Sequence, residues 1–408
     1  MKQTEEIQSA LSCSSSLVYN HVSARLSELD MLMIQSVPPG GNWKNIPLHV
    51  ANQSDRVMNI RKKGGRTTYY GRLRQDMPSY TINTYFNRPG NGTFIHPVQN
   101  RLISFREAAR LQSFQDDYRF LGSNTSIYKQ IGNAVPPLLA RAIGKTIRHT
   151  RAIDVFSGAG GLSQGLHDSN HNVLLAVDNN QHMIATYKEN HPKTRALGLD
   201  LSKSDGIQEF VELAETQLKG RTLGILAGGP PCQGFSMAGK WELGDPRNML
   251  MFSLLRIVEH LQPENVIIEN VVGLKTKRNQ SVLSEVQERL RTSGYSCTWF
   301  QLNAEQYGVP QLRRRVFIAA NRSGEVPAAP LPLFQKVGKE KRVEHSLDES
   351  ATLTKAFTVQ DAISDLPIIP SGGGSHELKY DISQMFTLYQ NYMRGVKSFE
   401  KLVKHQSG

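Results

Sequence analysis

Between residues 151 and 320, short apolar runs alternate with longer amphipathic stretches. The runs have strand length: Ala-Ile-Asp-Val-Phe at 152–156, Val-Leu-Leu-Ala-Val at 173–177, the segment 223–227, and Asn-Val-Ile-Ile-Glu at 265–269. Apolar positions recur at helical spacing near 181–190, 204–219, 248–260 and 281–293. Strand, helix, strand repeated in this way predicts a mostly parallel sheet with helices on both faces. Ligand-binding side chains of such a fold gather at the carboxyl ends of the strands, where the loops emerge. After Gly294 two strand-like runs follow each other directly, 295–302 and 315–320, joined by a short loop containing Gly-Val-Pro. That pattern predicts an antiparallel pair at the sheet edge.

Outside this block the pattern is less regular. Residues 38–90 interleave basic and aromatic side chains with Pro-Pro-Gly-Gly and Arg-Pro-Gly turns, as an irregular or β-rich surface would. Segments 12–16, 321–350 and 371–375 have loop or linker compositions, and no internal repeat is evident. Two helices are predicted here. Ser104 and Glu107 form a capping box ahead of an apolar stripe at Ala108, Leu111 and Phe114, and a second helix runs over 138–147, close before the first strand of the α/β block.

Composition adds a boundary and a direction. The 408 residues are 39% hydrophobic, enough for a sizeable core in two or three domains. The first residues lack an apolar signal core, and no run approaches the roughly 18–20 apolar residues that span a bilayer, so a cytoplasmic location is expected. Cys13, Cys232 and Cys297 have no metal-ligand spacing, so reduced thiols and no metal site are expected. A net charge of +12 suits a polyanionic partner such as nucleic acid.

Candidate chemistry sits at the ends of the predicted strands. The glycines of 158–165 follow the first strand, where they let a ligand approach the backbone beside a helix amino terminus. A dinucleotide fingerprint would need glycine at position 163, where the chain has Ser163, so a nicotinamide cofactor is disfavoured. Asp178, 20 residues past Gly158, stands where an acid binds ribose hydroxyls, so a nucleoside cofactor without a pyrophosphate fits. Cys232 follows a Pro-Pro turn at the end of run 223–227, as a nucleophile would. Glu269 ends a buried run, where lost hydration favours the protonated acid. Strand alternation would send Arg313 and Arg315 to one face and Arg314 to the other.

Six strings taken together resemble the motif set of DNA cytosine-5 methyltransferases: Phe-Ser-Gly-Ala-Gly-Gly, Gly-Gly-Pro-Pro-Cys-Gln-Gly-Phe-Ser, Ile-Ile-Glu-Asn-Val, Gln-Tyr-Gly-Val-Pro-Gln-Leu-Arg-Arg-Arg, Arg-Glu-Ala-Ala-Arg-Leu-Gln-Ser-Phe and Gln-Ile-Gly-Asn-Ala-Val-Pro-Pro. Their order departs from the family. The blocks at 106–112 and 132–137 usually close such enzymes and here precede the glycine loop, so the chain resembles a circularly permuted bacterial restriction-modification enzyme.

The resemblance implies a Rossmann-like S-adenosylmethionine-dependent methyltransferase domain plus a smaller, irregular or β-rich target-recognition domain. The expected boundaries are 1–118 and 336–408 for target recognition and 119–335 for catalysis. It implies that Cys232 attacks carbon 6 of a flipped cytosine, Glu269 engages ring nitrogen 3, and Arg315 holds the ring carbonyl with Arg313 in support. Gln233 and the loop 234–247 would close over the base. S-adenosyl-L-methionine would meet Phe156 by stacking, the Gly158–Gly160 loop, Asp178 and Asp200 by hydrogen bonds, Pro231 as the floor, and Leu250, Asn133 and Val135 by packing. The implied partner is double-stranded DNA with a short specific site, bound by a monomer with steep salt dependence and accompanied by a cognate restriction endonuclease. Three other readings stay open: a related tRNA methyltransferase, a catalytically inert DNA-binding regulator, which should lack Cys232 or Glu269, and the nicotinamide oxidoreductase opposed by Ser163.

Overall fold

A computed structural model describes residues 16–148, 150–231, 249–276, 279–337 and 353–404. The chain divides into two compact units. One is Ala134–Tyr307 with Arg314–Pro332; the other is Met1–Asn133 with Gly308–Arg313 and Leu333–Gly408.

The first unit is built on one seven-stranded sheet. Its strands are β1 (Arg151–Val155), β2 (Asn172–Asp178), β3 (Arg195–Gly198), β4 (Ile225–Gly228), β5 (Asn265–Val271), β6 (Ser296–Asn303) and β7 (Arg314–Asn321). They lie in the order β6-β7-β5-β4-β1-β2-β3. Strands β1 to β5 pair in parallel, whereas β7 runs antiparallel between β5 and β6. The antiparallel pair expected after Gly294 is therefore present, at one edge of the sheet.

Both faces are covered, by α1 (Pro137–Gly144), α2 (Gly161–Asp168), α3 (Gln181–Asn190), α4 (Ser204–Leu218), α5 (Met249–Leu261) and α6 (Gln280–Thr292). Alternate strand residues Ile153, Val155, Leu175, Val177, Leu226, Val266, Ile268 and Ile318 form one apolar cluster with α4, α5 and α6. Each such side chain contributes about 1.5–3 kcal/mol when fully buried, so this layer holds the strand ends in register. On β2 and β3 the opposite parity, Ala176 and Ala196, packs on Ile184 and Tyr187 of α3.

Helix α1 packs on α2 at Gly165. A Cβ there would stand 2.4 Å from Ala140 Cβ and 2.5 Å from the Pro137 carbonyl oxygen. The apolar pattern had no run for β3. This is a four-residue edge strand with Arg195 and Gly198 exposed, too short and too open to write a burial pattern.

Among its described residues the second unit carries short helices and three two-stranded ladders. Leu17–Val22 pairs antiparallel with Gly374–Lys379, Gly71–Arg72 pairs with Thr93–Ile95, and Ser79–Tyr80 pairs with Gln311–Leu312. Helix Phe105–Leu111 starts with the expected capping box: Ser104 Oγ accepts from the Glu107 amide at 3.1 Å, and Glu107 Oε2 accepts from the Ser104 amide at 2.7 Å. The helix is buried all round, with fully buried Arg106 and Arg110. Such cations are tolerated only when their donors are used. Arg106 donates to the carbonyls of Tyr19, Gln115 and Tyr118, and Arg110 donates to Asp116 at 2.7 Å and Asp365 at 2.5 Å. These bonds join the early and late stretches of the chain into one unit.

Candidate active site

The sheet register aligns the carboxyl ends of four strands. Val155 of β1 lies beside Val177 of β2 and Gly228 of β4, and Gly228 lies beside Ile268 of β5. One residue further on, Asp178, Phe156, Gly229 and Glu269 therefore stand in a row along one edge of the sheet. Cys232, three residues past Gly229, lies outside the described residues, as do Gln233 and the loop 234–247.

The glycine loop leaves β1 by a sharp reversal: Phe156 has φ 58°, Gly158 φ 54° and Gly160 φ 95°. Glycine adopts the left-handed region freely, whereas Phe156 does so at a cost of about 1–3 kcal/mol, a strain common at ligand-binding turns. Beyond its chain neighbours, a Cβ on Gly158 would meet, among the described residues, only Met183 Sδ, at 4.0 Å, so these residues leave the loop backbone open to a ligand. Asp178 closes the loop from β2, its carboxylate accepting from the Gly158 amide at 3.0 Å and the Asn180 amide at 2.9 Å. Burial pushes the Asp178 carboxyl above its ordinary value.

Asp200 follows β3 and accepts from the Ser202 amide and hydroxyl, which hold it below the ordinary carboxyl value. Pro231 is exposed, Leu250 is half-buried in the first turn of α5, and Val135 is buried just ahead of α1. Asn133 is the exposed last residue of helix Asn124–Asn133, in the second unit. Phe156, Gly158, Gly160 and Asp178 thus form one open loop with an acid beside it, which fits a nucleoside cofactor.

Glu269 is buried and lies 2.7 Å from Arg315 Nε, as an ion pair rather than an aligned hydrogen bond. Their strands place them together, since Val271 of β5 stands opposite Arg315 of β7. The shared face expected for Arg313 and Arg315 is not found. Arg313 falls in a break between Gln311–Leu312 and β7, so strand alternation does not carry across it. Its buried guanidinium donates to the carbonyls of Ile82 at 2.9 Å and Gly132 at 3.0 Å.

Sequence reasoning passed over one group in this unit. Asp154 of β1 is fully buried, and its Oδ2 accepts from Ser163 Oγ at 2.6 Å. Ser163 Oγ in turn accepts from Tyr187 OH at 2.7 Å. The available signal was an acid inside the apolar run Ala-Ile-Asp-Val-Phe. The second unit has an open cleft of about 690 Å³ whose lining includes Arg25, Arg56 and Arg88 and one carboxylate, Asp30. Among the described residues no group of side chains forms a metal site, and no helix is long and apolar enough to cross a membrane.

The sheet order, with its antiparallel seventh strand, and the open glycine loop with an acid at the next strand end define the class of Rossmann-like S-adenosylmethionine-dependent methyltransferase folds. More narrowly, the chain belongs to the C-5 cytosine-specific DNA methylase family, which it matches over residues 2–149 and 150–406. It is 36% identical over 254 residues to the type II methyltransferase M.AgeI of Thalassovita gelatinovora, covering 60% of this chain and 58% of that protein. It is 32% identical over 247 residues to the type II methyltransferase M.DdeI of Desulfomicrobium norvegicum, covering 60% of this chain and 54% of that protein. The chain therefore spans little more than half the length of these relatives. A crystal structure of a putative DNA modification methyltransferase encoded within a prophage of E. coli aligns with a TM-score of 0.37 at 30% identity, over 43% of this chain and 47% of that one.

Proposed function

We propose that this chain transfers a methyl group from S-adenosyl-L-methionine to carbon 5 of cytosine in a specific double-stranded DNA sequence. The observation that carries the reading is the Glu269–Arg315 pair, 2.7 Å apart at the strand end level with Gly229, which precedes Cys232 by three residues in the sequence. Ring nitrogen 3 and the carbonyl oxygen of cytosine are adjacent acceptors on one edge of the base. Glu269 as the acid and Arg315 as a donor, already side by side, would engage both together.

The target carbon is hidden in a stacked duplex, so the base has to swing out before it can be reached. The Cys232 thiolate then adds to carbon 6, and the proton from Glu269 on nitrogen 3 and the donors of Arg315 on the carbonyl oxygen stabilise the ring electrons that this addition releases toward carbon 5. The cofactor supplies an electrophilic methyl group. Loss of the carbon 5 proton and expulsion of Cys232 restore the ring. Phe156, Gly158, Gly160, Asp178 and Asp200, with Pro231, Leu250, Asn133 and Val135, would hold the cofactor. Arg313, bonded to the carbonyls of Ile82 and Gly132, supports the site by fixing the chain ahead of Arg315.

Further parts of the reading follow from family order. The motif blocks at 106–112 and 132–137 precede the glycine loop, which supports a circular permutation. Target recognition is assigned to 1–118 and 336–408 and catalysis to 119–335. A monomeric cytoplasmic enzyme, associated with the nucleoid and paired with a restriction endonuclease, completes it. Bisulfite sequencing of plasmid DNA from cells expressing the chain, beside a Cys232→Ser control, tests the proposal. The expected result is protected cytosines in one short motif, absent from the control. Absence of protection by a folded chain that binds S-adenosylmethionine would overturn it.

A further inference from the structure

The strongest feature outside the reacting groups is the acid beneath the glycine loop. Asp154 lies in β1, and its exposure is 0%. Its Oδ2 is held by Ser163 Oγ at 2.6 Å, while its Oδ1 is buried with no hydrogen-bond partner. A carboxylate in such a place normally has a cation or several amide donors. Here the described elements packed around it offer no cation, and the one amide that reaches it is that of Ser163. From β2 the charged neighbour is Asp178, another acid, and β4 presents only the apolar Ile225–Gly228. From α2 comes Ser163. From α3 comes Tyr187, backed by His191, whose ring stacks 5.3 Å from that of His167. Burial lowers both histidines from their ordinary values, so neither supplies a positive charge at neutral pH.

The connections have a consequence for the loop above. Asp154 and Ser163 are nine residues apart, and the residues between them are Val155 to Leu162, which include Phe156, Gly158 and Gly160. Their hydrogen bond therefore pins both ends of the glycine loop. Helix α2 has Gly160 at its cap with no side chain to hold the first turn, so Ser163 is its anchor. Tyr187 extends the tether to α3, the helix entered from the Asp178 loop. One buried acid thus closes a clamp on two of the loops that would receive the cofactor.

We propose that Asp154 is a positioning residue for cofactor binding, a buried acceptor that clamps the glycine loop through Ser163 and Tyr187. This rests on the methyltransferase reading for the identity of the ligand, though not for the clamp itself. Burial pushes the Asp154 carboxyl up to about 7. The carboxyl is ionised at lower pH in the unfolded chain than in the folded one. Stability is therefore lost as pH rises from the ordinary carboxyl range through 7, whereas the Ser163 hydroxyl can donate to the charged and the uncharged carboxyl alike.

The test is calorimetric titration of S-adenosylhomocysteine at pH 6.0 and pH 8.5 into the wild-type chain, Asp154→Asn and Ser163→Ala, with thermal unfolding of each across the same pH range. Asn keeps the acceptor and cannot ionise. The expected result is an Asp154→Asn Kd close to that of wild type at both pH values, since the acceptor is kept, and a Ser163→Ala Kd raised roughly three- to tenfold, the effect of one hydrogen bond. Normal affinity in Ser163→Ala, or the same pH dependence of Tm in wild type and Asp154→Asn, would overturn the proposal. A wild-type chain that fails to bind S-adenosylhomocysteine would sink the methyltransferase reading. The clamp would then stand or fall on unfolding alone, since Tm should drop between pH 6.0 and 8.5 more in wild type than in Asp154→Asn.

Discussion

Glu269 sits on a buried strand, where a carboxylate loses hydration and needs a partner, and Arg315 is that partner at 2.7 Å. In the proposed reaction a base entering between them would take over the contact, and the pair would be the resting arrangement of the two groups. Glu269→Gln should keep the fold and lower kcat/KM about 10²- to 10⁴-fold, the range for loss of a general acid; transfer of a labelled methyl group to duplex DNA measures it. Asp178 and Glu269 were legible in the sequence because position at a strand end follows directly from apolar runs. Arg313 was misread because alternation assumes an unbroken strand, and the break after Leu312 shows only in the backbone. Asp154 was not legible as a site residue because its partners, Ser163 and Tyr187, come from two different helices, and a one-dimensional pattern does not say which helix face meets which strand.

Among elements, the α/β block was largely readable. Four apolar runs became β1, β2, β4 and β5, and the antiparallel pair after Gly294 became β6 and β7. Strand β3 was missed for want of buried positions, although two successive helices near 181–190 and 204–219 required something between them. Of the short helices of the second unit, Phe105–Leu111 was readable from its capping box and stripe, whereas others, such as the six-residue Leu388–Met393, are too short to write an apolar stripe. The helix contact at Gly165 depends on a missing side chain. Gly165→Ala would drive a methyl group to 2.4 Å from Ala140 Cβ and push α1 away from α2. The expected loss is about 1–3 kcal/mol, read as a lower urea midpoint with unchanged slope.

At the scale of the whole molecule, sequence-distant stretches share one unit, because Leu17–Val22 pairs with Gly374–Lys379. If the motif order is a permutation, a gene rearranged to begin at Thr150, with residue 408 linked to residue 1, should still give methylated plasmid in the bisulfite assay; an insoluble or inactive product would count against that view. The buried bond between Arg110 and Asp365 has a further consequence in time. Arg110 leaves the ribosome 255 residues before Asp365, which at 5–20 residues per second is roughly 13–50 s. Throughout that interval its helix is short of one of its two carboxylates, while every strand of the sheet has been synthesised by residue 321. Translation thus completes the sheet first and closes the clasp last, so the early segment must wait in solvent or on a chaperone for an acid not yet made.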